Sequence, residues 1–150
     1  MIEFATYLFP GKFEKYINID TDISGQPRQV ITVAGVVDPV PMSKISIEPR
    51  KTKLGTIQLN TEQIVPLTIS NTGTASLNIT KIFSKKSDAL YYDAEEKGEI
   101  QIAAGKSRIL EIAIKPQKAG RLIEVIQVKC NARNAGTKGL YQILATATVE

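Results

Sequence analysis

From residue 62 to residue 83 the chain reads EQIVPLTISNTGTASLNITKIF. Val65, Leu67 and Ile69 alternate with Pro66, Thr68 and Ser70. A two-residue period is what a half-buried strand requires, because successive side chains point to opposite faces. Asn71-Thr72-Gly73 interrupts the pattern with residues that tolerate left-handed backbone. Leu77 and Ile79 then resume it, with Asn78 and Thr80 between them. The reading is a β-hairpin with a polar tip, whose apolar face must be covered by a second sheet.

The same alternation recurs along the chain. Residues 2–9, 13–20 and 29–37 read as three strands, separated by Pro10-Gly11 and by Ser24-Gly25-Gln26-Pro27. Asp38-Pro39-Val40-Pro41 is too rich in proline for an interior strand and reads as a short linker. Beyond it, residues 44–48 predict an edge strand ending at Pro49, and residues 54–59 a further strand. Residues 89–93 form a weaker strand, with Leu90 and Tyr92 on one side and Tyr91 on the other. Ile100 and Ile102 mark a short strand, and Leu110, Ile112 and Ile114 another that stops at Pro116. Leu122, Ile126, Val128 and Cys130 share one parity after Gly120, and a polar loop spans residues 131–139. Tyr141, Ile143, Ala145, Ala147 and Val149 make the last strand. No stretch sustains apolar spacing at i, i+3, i+4 and i+7 with caps, so helix content is expected to be low. The fold class is all-β, an antiparallel sandwich of about seven strands. Its core list is Val65, Leu67, Ile69, Leu77, Ile79, Leu110, Ile112, Ile114, Ile126, Val128, Ile143 and Ala145.

The two ends of the chain resemble each other. Gly11 matches Gly120, Phe13 matches Leu122, Ile17 matches Ile126 and Ile19 matches Val128, all 109 positions apart (120 − 11). Ile31-Thr32-Val33-Ala34-Gly35 matches Ile143-Leu144-Ala145-Thr146-Ala147 at an offset of 112 (143 − 31). About one domain's length separates the copies. Residues 1–40 are therefore expected to be the last strands of a preceding domain plus a linker, and residues 41–150 a complete domain. The first segment would then lack the sheet it covers, leaving Phe4, Phe13, Ile17, Ile19, Ile31 and Val33 without burial. At about 1.5–3 kcal/mol for each large side chain, six represent on the order of 10 kcal/mol. The expected outcome is a homodimer through residues 1–38, by exchanged or abutted sheets.

Val65-x-Leu67-x-Ile69-x-Asn71-x-Gly73, Leu77-x-Ile79, the Gly105 turn, Leu110-x-Ile112-x-Ile114-x-Pro116 and Gly120 together resemble the Hydin-type immunoglobulin-like domains. Gly11-Lys12-Phe13-x-Lys15-Tyr16-Ile17, Pro27 and Ile31-x-Val33-x-Gly35 are similar to the bacterial branch of that group, a domain of unknown function in envelope proteins. Lys115, where an aromatic often precedes the proline, and Ala147, where the first copy keeps Gly35, depart from the pattern. The resemblance implies an immunoglobulin-like sandwich of seven strands, often in tandem, with scaffolding or protein-interaction roles and a periplasmic or cell-surface location. It implies no catalytic residue.

Composition narrows the chemistry. The chain has no histidine and no tryptophan, which removes the commonest general base and the commonest zinc ligand. Cys130 is the single cysteine, so no intrachain disulfide forms, and its place after Ile126 and Val128 reads as a buried hydrophobe. The net charge of +4 comes from 19 basic and 15 acidic residues mixed along the chain. Neither Arg50-Lys51-Lys53 nor Lys81-Lys85-Lys86 carries interleaved aromatics for base stacking, so a nucleic-acid partner is not expected. No apolar run has the length of a membrane span, and Met1-Ile2-Glu3-Phe4 reads as the inside of a strand rather than a signal peptide.

The candidate sites each have a plainer reading. Ala104-Gly105-Lys106-Ser107 lacks the earlier glycine of a phosphate loop, since Ile100 stands there, and a strand pattern follows it. Asp93, Glu95, Glu96 and Glu99 form an acidic cluster without calcium-loop spacing and with Lys97 in its midst, which reads as a solvated loop. Asn78-Ile79-Thr80 fits a glycosylation acceptor but falls on a strand. Tyr91-Tyr92 is the one adjacent aromatic pair, and an outward Tyr91 would be a contact residue for a partner protein. No catalytic, cofactor or metal residue is assigned. The leading function is a non-catalytic structural or protein-interaction module of a multidomain envelope protein. The alternative is a carbohydrate- or cation-binding sandwich, against which stand 6% aromatic content and the missing tryptophan.

Overall fold

The computed structural model describes residues 10–150, so the strand expected over residues 2–9, with Phe4, lies outside the described residues. The chain forms two compact units, Met1–Val40 and Pro41–Glu150.

In the first unit, β1 (Gly11–Asp20) and β2 (Arg28–Val37) form a two-stranded antiparallel sheet. Its ladder runs from Gly11 opposite Val37 to Asp20 opposite Arg28. The connecting turn is closed by Thr21 N–H donating to the Pro27 carbonyl at 3.0 Å and Gln26 N–H to that of Ile23 at 3.1 Å. Gly25 sits there at φ +82°, a conformation that suits a residue without Cβ.

The second unit has two sheets. β3 (Ile45–Glu48), β5 (Gln63–Asn71) and β9 (Ser107–Ile114) form one, in the order β3-β5-β9. The other contains β4 (Lys51–Ile57), β11 (Leu140–Val149), β10 (Gly120–Cys130), β6 (Leu77–Ser84) and β7 (Leu90–Asp93) in that order, with β8 (Ile100–Ile102) also paired to β6. All pairings are antiparallel except β4 with β11. One aliphatic core from both sheets joins them, including Ile45, Ile47, Val65, Leu67, Ile69, Ile112 and Ile114 with Leu77, Ile79, Ile82, Ile126, Val128 and Ile143. The architecture is an immunoglobulin-like β-sandwich. β3 and β4 are halves of one strand that changes sheets at Pro49-Arg50, and β7 and β8 flank the single helical turn α1 (Ala94–Lys97). Counting each such pair once gives the seven strands expected.

Residues 62–83 are not a hairpin. β5 pairs with β3 and β9, and β6 pairs with β10, β7 and β8, so the chain crosses from one sheet to the other at residues 72–76. Alternation reports which side chains are buried and is silent about which strand lies alongside. Gly73 also differs from expectation. It has no left-handed φ, but a Cβ there would lie 2.2 Å from the Met42 carbonyl oxygen and 2.5 Å from the Lys44 nitrogen. The glycine is required by the close passage of another backbone segment.

β6 buries Leu77 and Ile79, then Ile82 and Ser84, a change of parity within one strand. The ladder to β10 explains it, because Lys129 faces Lys81 while Cys130 faces Ile79, leaving Thr80 as the extra residue of a bulge. Leu110, expected in the core, is half-buried although it lies opposite the fully buried Leu67. β9 is an edge of its sheet and Leu110 is flanked on one side only. The remaining members of the predicted core list are buried.

The β1–β2 ladder repeats that of β10–β11 pair for pair. Adding 109 to the β1 numbers and 112 to the β2 numbers turns Phe13–Gly35 into Leu122–Ala147 and Ile17–Ile31 into Ile126–Ile143, and both are observed pairs. The two offsets come from sequence likeness alone, yet they reproduce the register.

Candidate functional site

Two places concentrate polar side chains in the second unit, and they differ in kind. At the crossing between sheets, Asn71 is almost fully buried. Its Nδ2 donates to the carbonyls of Ala75 (2.8 Å) and Ile102 (2.9 Å), and its Oδ1 accepts from the N–H groups of Gly73 (3.0 Å) and Lys44 (3.3 Å). Asn131 Oδ1 accepts from Ser43 Oγ (3.1 Å) and Asn78 N–H (2.9 Å), and its Nδ2 donates to the Ser76 carbonyl (3.1 Å). Asn134 accepts from Ile45 N–H (2.9 Å) and donates to the Ile45 carbonyl (2.8 Å), as a neighbouring strand would. The polar loop expected over residues 131–139 is thus a structural plug containing a 3-10 turn, Arg133–Ala135, with Ala132 and Ala135 buried beneath it. These amides have donors and acceptors matched inside the protein and are spent on the fold.

The second place is the corner between β7 and β10. A bulge in the β6–β7 ladder sets Asp93 opposite Lys81, Tyr92 opposite Ile82 and Leu90 opposite Phe83, leaving Tyr91 unpaired. Leu90 and Tyr92 therefore do not share a face, and both tyrosines pack against the core. Strict alternation would have turned Tyr91 outward, and the bulge is what prevents it. Leu90 is the exposed residue of β7, at 47%. Burial first, and then the Glu124 carboxylate beside it with a hydrogen bond between the two, raises the Tyr91 phenol above its ordinary value. Glu124 is 7% exposed, and its Oε1 has no hydrogen-bond partner among the described residues. Sequence reasoning passed over it, although it shares the inward parity of Leu122, Ile126 and Val128.

The other candidates are structural where they stand. Gly105 turns the chain between β8 and β9 at φ +71°, donating to the Asn71 carbonyl at 2.9 Å, and a strand follows rather than a helix. Asp93 caps α1 by accepting from Glu95 N–H at 3.0 Å and pairs with Lys81 at 3.1 Å. Those contacts, the Glu95 amide foremost, hold its carboxyl below the usual range. Among the described residues no group of three or more His, Cys, Asp or Glu side chains converges as metal ligands would. Arg50 of the basic group at residues 50–53 lies over the Tyr141 ring, 5.7 Å from its centre. Cys130 is buried on β10, and burial pushes its thiol up. No helix among the described residues is long and apolar enough to cross a membrane.

No curated protein matches the sequence. Solved structures similar in fold include the following two. The PapD-like domain 7 of human CEP192 shares 14% identity, with 80% of this chain and 96% of that one covered and a TM-score of 0.51. A protein of unknown function from Porphyromonas gingivalis shares 16%, with 93% and 66% covered and a TM-score of 0.53. The model of the HYDIN/CFA65/VesB-like Ig-like domain matches residues 43–143, and the chain belongs to that family.

Proposed function

We propose that this protein is a non-catalytic structural or protein-interaction module of a multidomain bacterial cell-envelope protein, periplasmic or on the cell surface. In this reading residues 1–40 contribute the closing strands of a like domain, placed in tandem before the complete one. The observation that carries the reading is the use made of the polar and glycine residues where the chain crosses between sheets. Asn71, Gly73, Asn131 and Asn134 spend their chemistry on holding the sheets together. That leaves binding to the outer surface, and a family of immunoglobulin-like domains suits such a role. The contact edge we favour is β7, where Leu90 stands out at 47% exposure beside the half-buried Tyr91.

A photo-reactive amino acid at Leu90, introduced in the cells that produce the protein, tests this reading. Adducts to one recurrent protein, weakened by Tyr91→Ala, are expected. Absence of protein adducts, together with saturable binding of Ca²⁺ or an oligosaccharide in titration calorimetry, would establish the carbohydrate- or cation-binding alternative instead.

A further inference from the structure

We propose that copies of this chain associate head to tail, the outer face of β3-β5-β9 in one packing on the outer face of the larger sheet in the next. Both faces belong to Pro41–Glu150 and owe nothing to residues 1–40 or to a tandem arrangement.

Charges that are mixed along the chain are sorted by the fold. Residues opposite each other across a ladder project to the same side of the sheet. In the larger sheet Val125 lies opposite Leu144, and Phe83 opposite both Gln127 and Leu90, so these side chains point away from the core together. Lys51 stands beside Leu144 and Lys53 beside Thr146, while Arg121 and Lys129 end the same row of β10 side chains. Among the described residues the one carboxylate at a paired position of this face is that of Asp93, and Lys81 binds it at 3.1 Å. The outer face of β3-β5-β9 has the opposite sign. Thr68 lies between Glu48 and Ile109, Pro66 opposite Glu111, and Ile64 opposite Ala113. Ile109 is 68% exposed and Ile64 53%. Among the described residues no lysine or arginine takes a paired position there.

An aliphatic sheet face is well covered by a second sheet at about 10 Å. Charge decides which sheet. Two of the larger sheets would bring the cations of one copy against those of the other, and two of the smaller would oppose their glutamates, which costs affinity. The unlike pair instead sets Glu48 and Glu111 among the cations that border Phe83, Val125 and Leu144. The chain thus carries both halves of a complementary contact, on opposite sides of one domain. Such a contact is heterologous, so it builds an open series of copies rather than a closed pair.

Sedimentation of the full chain at low salt tests the proposal, because surface charges act most strongly there. The mass is expected to climb from 16.4 kDa with protein concentration, without stopping at a dimer, and to fall back as salt is added. Lys53→Glu with Lys129→Glu should hold the chain at its monomer mass, and so should Glu48→Lys with Glu111→Lys. All four positions are exposed, and melting temperatures equal to the parent's guard against misfolding. Mixed in equal amounts, the two double variants should associate again, because each keeps the face that the other has lost. The milder Lys53→Gln and Glu111→Gln should each weaken association, and they decide in place of a double variant that melts early. A parent that stays at 16.4 kDa up to its solubility limit overturns the proposal. So does a mass that stops at twice that value, since a closed pair needs like faces. Association at parent strength in the variants, or a mixture of normally melting double variants that stays monomeric, overturns it as well.

Discussion

Phe13 and Gly35 face each other across the β1–β2 ladder, and the ring fills the space a side chain at Gly35 would take. A Cβ built on Gly35 would stand 3.0 Å from Cε1 and 3.1 Å from Cζ of the ring. The corresponding pair in β10–β11 is Leu122 with Ala147. The larger residue has become smaller and the smaller one larger, as two solutions to filling one site would require. Gly35→Ala should therefore speed amide exchange in β1–β2, and Phe13→Leu in the same chain should restore protection. A coupling of about 0.5–3 kcal/mol between the two changes is expected for residues in contact. Additive effects would show that the pairs are not equivalent.

The sheet crossing depends on Asn71. Asn71→Leu keeps the branching at Cγ and strands the amide and carbonyl groups the side chain now satisfies. With each buried group left unpaired costing about 1–3 kcal/mol, the loss should be on the order of 3 kcal/mol or more in urea unfolding. Leu67→Ala, at a fully buried position, should cost about 2–5 kcal/mol. A near-neutral Asn71→Leu would mean that the crossing is held by other contacts.

Glu124 and Tyr91 make stability sensitive to alkali. A phenol whose folded value lies above the ordinary one, about 10, keeps its proton longer in the folded state. Its contribution is complete below the unfolded value and is lost as pH rises through the folded one. Urea midpoints measured from neutral pH upward should fall beyond about pH 10, and Tyr91→Phe should flatten that decline. Parallel curves for the two proteins would contradict the assignment. Glu124→Met made together with Tyr91→Phe should leave stability unchanged or raise it, because the pair of changes removes the buried oxygen without a partner and leaves no phenol stranded.

Cys130 should resist modification. It is buried, and its thiol holds its proton more firmly than a free one. A thiol reagent should label the native protein slowly and the urea-unfolded protein at once. Rapid labelling of the native chain would mean that β10 does not end inside the sandwich.

The sequence is legible where burial alone decides the pattern. Val65, Leu67 and Ile69, or Ile112 and Ile114, give their strands and their inward face directly. Partner choice is not written in such a pattern, so the step from Ile69 to Leu77 looked like a hairpin and is a crossing between sheets. Bulges are the second source of error. The extra residue at Thr80 and the unpaired Tyr91 each turn the side chains that follow to the other face, and strict alternation cannot foresee that. The amide plug was hidden for a different reason. Asn131 and Asn134 sit in a stretch whose polarity reads as solvent exposure until the β3 backbone they bind is brought beside them. The corner at Tyr91 was visible as a pair of aromatics, but its carboxylate partner on β10 needed the fold.

The two-sheet sandwich of residues 41–150 depends on the chain changing sheets between Asn71 and Leu77. Cross-strand proton contacts measured by NMR on the full chain test this most directly. The account predicts contacts of Ile69 with Ile47 and of Leu67 with Leu110 in one sheet, and of Ile82 with Val128 and of Ile126 with Ile143 in the other. A continuous ladder of backbone contacts between residues 63–71 and residues 77–84 would contradict it.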